Sequence, residues 1–354
     1  MSRTLSGIFS VSYVFWYSVD YCMMKERNIG IDILKFLAVL LITNSHMALL
    51  YGKYSALATG GTLGNVLFFF CSGFTLFLKP FDSVRDFPNW YKHRINRIYP
   101  AVLAIAIVRC TFFDAHRDIN WIILHGGRWF VTYIMVYYVF IYFIGLYCRK
   151  RITHVIALIA AATCIWFFSM DRPFPFSMYG DERIYLTWPL YFIFMLFGAK
   201  MGMMSQSQST CLQATGAQCR NFTLGVLSVV AFYVICGVTE RIESVAFLHI
   251  FSFLPLLLFI YFIYLWGNGR FVKSIYDSKV GNFVIRFVGG LCLEVYLIQN
   301  SLLSDKLNFL FPLNIPIFFV IVVIAAYLLR CMARLISQTF KDAPYDWKKM
   351  VSKY

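Results

Sequence analysis

The chain has 354 residues, 60% of them hydrophobic and only 14% charged, with a mean hydropathy of +0.67. A soluble domain of this length carries about a quarter charged residues, so a soluble globular class is excluded. The formal net charge of +15 does not mark a nucleic-acid partner, because the basic residues sit in connectors between apolar runs.

Residues 1–24 read as an N-terminal extension. GIFSVSYVFWYSVDYC is apolar but interrupted by serines and an aspartate, with no basic n-region followed by a small-residue cleavage site. Translation from Met23 or Met24 is one reading of this extension, with Met1 as the other. Residues 25–336 then alternate apolar runs with short polar connectors, and 337–354 form a basic tail. Several runs reach the roughly 20 residues a helix needs to cross a bilayer. Ten spans are expected, at about 30–51, 60–78, 98–113, 129–147, 152–170, 184–201, 221–238, 245–266, 283–304 and 312–334. The predicted fold class is all-α: a polytopic integral membrane protein of about ten transmembrane helices.

Of the 32 Lys and Arg, 23 fall on one alternate set of connectors and termini, 8 on the other, and Lys35 stands inside the first span. Cytoplasmic loops carry the excess of Lys and Arg, which places both termini in the cytoplasm. The ten cysteines are scattered singly, and the pattern suits small buried residues. No His, Cys and carboxylate cluster has metal-ligand spacing, so no metal is expected.

The first span holds the chemistry. In IDILKFLAVLLITNSH, Lys35 and His46 lie eleven residues apart. On a helix that is three turns plus about 20°, and a rise of about 16.5 Å, so both side chains share a face. Asp32, three residues before Lys35, is placed to pair with the ammonium and lower the cost of burying it. A cation near one membrane surface and a neutral histidine farther in suit a long anionic ligand with a flexible arm, such as acyl-coenzyme A. Two plainer readings stay open: Lys35 snorkelling to the interface, and His46 as a hydrogen-bonded packing residue.

These residues resemble the opening of acyltransferase family three, integral membrane acyltransferases that modify bacterial surface glycans. Its first span carries an acidic residue, then Arg or Lys, ten residues, and His, here Asp32, Lys35 and His46. LFFFCSGFTLFLK is similar to its second span, with Ser72 and Gly73 in the Ser-Gly-Phe. HRINRIYPAVL is similar to its Arg-x-x-Arg before Tyr-Pro, with Arg94, Arg97, Tyr99 and Pro100. WFVTYIMVYYVF, opening on Trp129, resembles its aromatic fourth span, and GGLCLEVYLIQN its late Leu-Glu-hydrophobic-Tyr-Leu, with Glu294 and Tyr296. Many members follow that last segment with a His where this chain has Gln299. No catalytic role is carried onto Gln299.

The resemblance implies an O-acyltransferase of the bacterial cytoplasmic (inner) membrane, transferring an acyl group other than an aminoacyl group. Acetyl-CoA would be the donor substrate, with no permanently bound cofactor. The acceptor would be a surface or exported polysaccharide or its lipid-linked precursor. It implies His46 as catalytic acid/base and Asp32, Lys35, Arg94 and Arg97 as donor-binding residues. Arg94 and Arg97 share a helix face, and guanidinium groups bind phosphate oxygens in a fork; ordinary positive-inside charge is the other reading of that pair. The connectors opposite the termini carry Asp171, Arg172, Asp181, Glu182 and Arg183 among aromatics, and His116, His125 and Arg128. Those residues suit either a glycan site or an interfacial belt. Another acyl group or acceptor, such as succinyl, an amine or a small molecule, and a transporter without covalent chemistry, remain as alternatives.

Overall fold

The computed structural model describes residues 28–113, 128–169, 184–207, 215–339 and 344–352, and every regular element among them is helical. The principal helices in chain order are α1 (Ile29–Ser45), α2 (Gly61–Leu76), α3 (Phe87–Phe112), α4 (Arg128–Tyr147), α5 (Ile152–Phe168), α6 (Ile184–Ser207), α7 (Thr215–Arg241), α8 (Phe253–Gly267), α9 (Arg270–Asp277), α10 (Lys279–Gly290), α11 (Cys292–Leu302) and α12 (Asn314–Thr339). The N-terminal extension and the polar connectors around His116, His125, Asp171 and Glu182 lie outside the described residues. Arg128 opens α4, but its side chain is not among those described.

Among the described residues, seven helical segments are long and apolar enough to cross a membrane, and up to nine if each of two bent pairs is one span. The chain is a multi-pass membrane protein. The ten expected runs fall on these seven segments, the two bent pairs and α2. The first expected span is broken, with Ile29–Ser45 and Ala48–Leu57 meeting at 61°, and so is the ninth, with Lys279–Gly290 and Cys292–Leu302 meeting at 71°. The second, α2, has 16 residues, about 24 Å at 1.5 Å per residue, short of a hydrocarbon core of about 30 Å.

Both bends have visible causes. After α1 the chain is pinned by Asn44, whose amide donates to the carbonyls of Leu57 and Thr59, both at 2.9 Å, while Tyr51 donates to its oxygen at 2.7 Å. Before α11, Gly289 brings α10 against the α1 backbone; a Cβ there would stand 3.0 Å from the Phe36 nitrogen.

The centre of the bundle is a close crossing of α2 and α6. Gly198 and Gly202 form a small-xxx-small pair on α6, and Gly73 answers from α2. A Cβ on Gly73 would run into the Met195 carbonyl, one on Gly198 into the Phe70 carbonyl, and one on Gly202 would stand 2.5 Å from the Phe74 carbonyl. Small residues let helix backbones approach where lipid offers no hydrophobic drive. Around this crossing a buried aromatic core gathers Phe69, Phe70, Phe74, Tyr133 and Tyr191.

The tail turns back along the end of α12. Tyr327 donates to the Val351 carbonyl at 2.8 Å, and Arg334 reaches the Met350 carbonyl at 3.3 Å and that of Ser352. Asp346 caps the short helix Trp347–Met350, and the backbone N–H of Lys349 holds its carboxyl below the usual range.

Candidate active site

α1 begins where Asn28 caps it, its oxygen accepting from the Ile31 N–H at 3.1 Å. The first turn packs on the end of α8 through Gly30, whose N–H donates to Asn268 at 3.2 Å. Asp32 is thereby buried, 4% exposed, and accepts a 2.7 Å hydrogen bond from the Tyr276 hydroxyl of α9. Lys35, one turn on, is half-buried. The expected Asp32–Lys35 ion pair is not formed: among the described residues no carboxylate lies within 4.0 Å of the Lys35 ammonium. The Tyr276 hydroxyl gives the buried carboxylate one of its donors.

Asp32 and Lys35 open on a cavity of about 500 Å³ at the end of the bundle where α1 starts. α2 contributes Phe68, Cys71 and Ser72; α3 contributes Arg94, Arg97 and Pro100; α4 contributes Phe130 and Tyr138; α10 and α11 contribute Arg286, Gly290 and Glu294; α12 contributes Arg330, Arg334 and Ser337. The four residues expected to hold the donor thus share one wall system, although they come from two helices far apart in sequence. The cavity is deep: Phe130 and Tyr138, eight residues apart on α4, both line it, a span of about 12 Å.

Charge in the cavity is one-sided. Six cations (Lys35, Arg94, Arg97, Arg286, Arg330 and Arg334) face two carboxylates (Asp32 and Glu294), a formal surplus of four positive charges. Arg330 and Glu294 pair in a fork with nitrogen–oxygen distances of 2.9 and 2.8 Å. Arg94 lies over the Trp90 ring at 5.0 Å, and its buried Nε has no hydrogen-bond partner among the described residues. Pro100, inside α3, offers no N–H to the carbonyl of Asn96 four residues back, and both residues line the cavity.

The remaining expected residues divide. Ser72 lines the cavity within 3.4 Å of the Tyr138 hydroxyl, while its neighbour Gly73 serves the α2–α6 crossing. Tyr99 is 38% exposed and turns away from the cavity. Tyr296 is buried with its ring 4.8 Å from that of Phe130. Trp129 stacks on Tyr191 at 5.5 Å, outside the cavity. His46 is half-buried, the first residue after α1, at the 61° bend. It does not line the cavity and stands eleven residues, about 16.5 Å of helix, beyond Lys35.

Sequence reasoning passed over Arg286, Arg330 and Arg334, which it counted only as loop charge. Their signal was available, since Arg330 and Arg334 are one turn apart on an otherwise apolar helix. It also passed over Tyr276. Gln299, to which no catalytic role was carried, is fully buried, and among the described residues neither its amide nitrogen nor its oxygen has a hydrogen-bond partner. Thr43, on α1 between Lys35 and His46, is likewise buried, its hydroxyl without a partner among the described residues.

A helical membrane bundle with a deep, basic cavity at one end defines the class: a multi-pass membrane protein with a buried polar site. An acyltransferase-domain profile matches residues 28–331, and the chain belongs to acyltransferase family 3. It is a membrane acyltransferase. Neither the curated proteins nor the solved structures give a significant match to it.

Proposed function

We propose that this acyltransferase moves an acetyl group from cytoplasmic acetyl-CoA to a hydroxyl of a surface or exported polysaccharide, or of its lipid-linked precursor, in the bacterial inner membrane. The cavity opens to the cytoplasm in this reading, and both termini lie on that side. The observation that carries it is the surplus of four positive charges in the cavity, which suits the phosphates of coenzyme A and exceeds what a monoanion would require. Lys35, Arg94 and Arg97 hold the donor, and Asp32, fixed by Tyr276, keeps the start of α1 in register with it.

The donor's arm then runs along α1 toward His46. There the acceptor hydroxyl attacks the thioester carbonyl. The imidazole takes the hydroxyl proton as the new C–O bond forms and returns it to the thiolate as the C–S bond breaks, giving the ester and free CoA. Histidine, whose charge changes near neutral pH, is the side-chain type suited to both transfers.

The test is alkali-labile acetate in surface glycans from three otherwise identical strains: intact, deleted for this protein, and carrying His46→Ala. Acetate lost in both altered strains is the expected result. A His46→Ala strain acetylating at the intact level would remove the role given to His46, and acetate unchanged in all three would remove the acetyl reading.

A further inference from the structure

Beyond the cavity, the seam between α1 and α11 holds polar groups that the fold itself leaves unused. α11 packs along α1 and is pinned to that stretch of chain at both ends. Just before its start, a Cβ on Gly289 would stand 3.3 Å from the Lys35 Cβ; beyond its end, Asn308 donates to the Leu49 carbonyl at 2.9 Å. Gln299 lies seven residues along α11 from Cys292, and Thr43 seven residues along α1 from Phe36, each about 10.5 Å, so the two occupy one depth. Both are fully buried. Among the described residues the Gln299 amide finds neither a donor nor an acceptor, and the Thr43 hydroxyl finds no partner, although buried polar side chains are nearly always hydrogen-bonded. The inner end of the cavity is walled by Phe68 and Phe130, with ring centroids 4.7 Å apart. Tyr296 packs behind Phe130 at 4.8 Å, one turn of α11 before Gln299. Arg109 of α3 holds the same stretch of α11 in place, donating to the Leu297 carbonyl at 3.0 Å and to Ser301 at 3.1 Å.

We propose that Gln299 and Thr43 form a subsite that hydrogen-bonds the pantetheine arm of the acyl-CoA donor, at the amide nearer its sulfur, and so set the thioester at the depth of His46. This inference rests on the reading of the cavity as the donor site. Chemistry selects the arm. The Gln299 side chain offers both a donor and an acceptor, and a secondary amide of the arm offers both in return. A thioester carbonyl offers an acceptor alone, and neither residue carries a charge to hold a phosphate. Length agrees with that choice. Thr43 lies eight residues beyond Lys35, about 12 Å of helix, and three before His46, about 4.5 Å; its carbonyl accepts from the His46 N–H at 3.1 Å. In the arm, two methylene groups separate the last amide nitrogen from the sulfur, three bonds that span about 4 Å when extended. An amide bound at the depth of Thr43 therefore delivers the sulfur at the depth of His46. The arm reaches the two residues by turning the Phe130 and Tyr296 rings to other rotamers.

The experiment measures binding of two ligands to the full-length protein in lipid nanodiscs: CoA, and 3′-phosphoadenosine 5′-diphosphate, which keeps every phosphate and lacks the arm. The wild-type protein is expected to favour CoA by about tenfold or more. Gln299→Leu and Thr43→Val should each bring that preference toward one while changing affinity for the armless nucleotide by less than about twofold. Thr43→Ser, which keeps a hydroxyl, should retain most of the preference. If Gln299→Leu does not yield folded protein, Thr43→Val carries the same comparison. The proposal is overturned if the preference survives in either variant, as a structural water at these groups would give, or if the variants weaken both ligands alike. A wild-type protein that binds the two ligands equally overturns this subsite and leaves the donor-site reading standing, whereas one that binds neither overturns both.

Discussion

The Arg330 guanidinium and the Glu294 carboxylate face each other in parallel across the bend between α10 and α11, with Nε 2.9 Å from Oε1 and Nη2 2.8 Å from Oε2. Both side chains are largely buried, at 15% and 10% exposure, and the same guanidinium also reaches the Gly290 carbonyl at the end of α10. The pair therefore ties three elements together just where the ninth span is broken.

Removing one partner is the informative change. Arg330→Ala strands a buried carboxylate, and breaking such a pair costs about 3–5 kcal/mol. The variant should unfold at a clearly lower temperature in detergent. Arg330→Met combined with Glu294→Leu should recover most of the loss, because paired removal leaves no uncompensated charge. A single variant that melts with the wild type would show that the fork contributes nothing to the fold.

Tyr276→Phe deletes one hydroxyl and leaves the buried Asp32 carboxylate without its 2.7 Å donor. The expected cost is about 1–3 kcal/mol, read as a drop of several degrees in melting temperature. Tyr276→Phe made on an Asp32→Asn background should cost less than on the wild type. Equal costs on both backgrounds would mean that the two groups are not coupled.

At the α2–α6 crossing, Gly73→Ala forces a methyl group into the Met195 carbonyl. Neither helix backbone can yield locally, so the pair must separate. Overpacking of this kind typically costs about 1–3 kcal/mol. Gly216→Ala, where nothing lies within 4 Å of the added carbon, should be neutral or slightly stabilising. Comparison of the two melting temperatures checks the crossing directly.

Gln299→Leu replaces a fully buried amide that has no hydrogen-bond partner among the described residues by an apolar side chain of similar volume. Such replacements are close to neutral or stabilising, so the melting temperature should hold or rise. A fall of several degrees would reveal partners for that amide.

Much of this architecture was legible in the sequence because apolarity and length alone dictate helices in lipid. The misreadings were of two kinds. The breaks at His46 and Leu291 left the apolar runs uninterrupted, because their causes are tertiary: Asn44 reaching residues 57 and 59, and Gly289 pressed on the α1 backbone. The site was half-visible. Asp32, Lys35, Arg94 and Arg97 stood out as charges with meaningful spacing, but spacing along one helix could not show that α12 lies beside α3. Arg330 and Arg334 therefore looked like topology charges. Likewise Asp32 was matched to Lys35, its neighbour in sequence, when a donor to it comes from Tyr276, 244 residues away.

The α2–α6 crossing also bears on how the protein is made. α6 is the least apolar of the seven long helices, and two-thirds of its most apolar window is buried against protein, whereas α5 and α7 keep most of theirs toward the outside. A segment that carries Pro189, Lys200 and two glycines to fit a partner is a weak signal to an insertion machinery that scores each helix by its own apolarity. α2, synthesised about 120 residues earlier, supplies the surface α6 is shaped for. Biogenesis should therefore depend on α2 being retained near the point of entry until α6 emerges, and damage to the glycine contact should show first as failed insertion of α6.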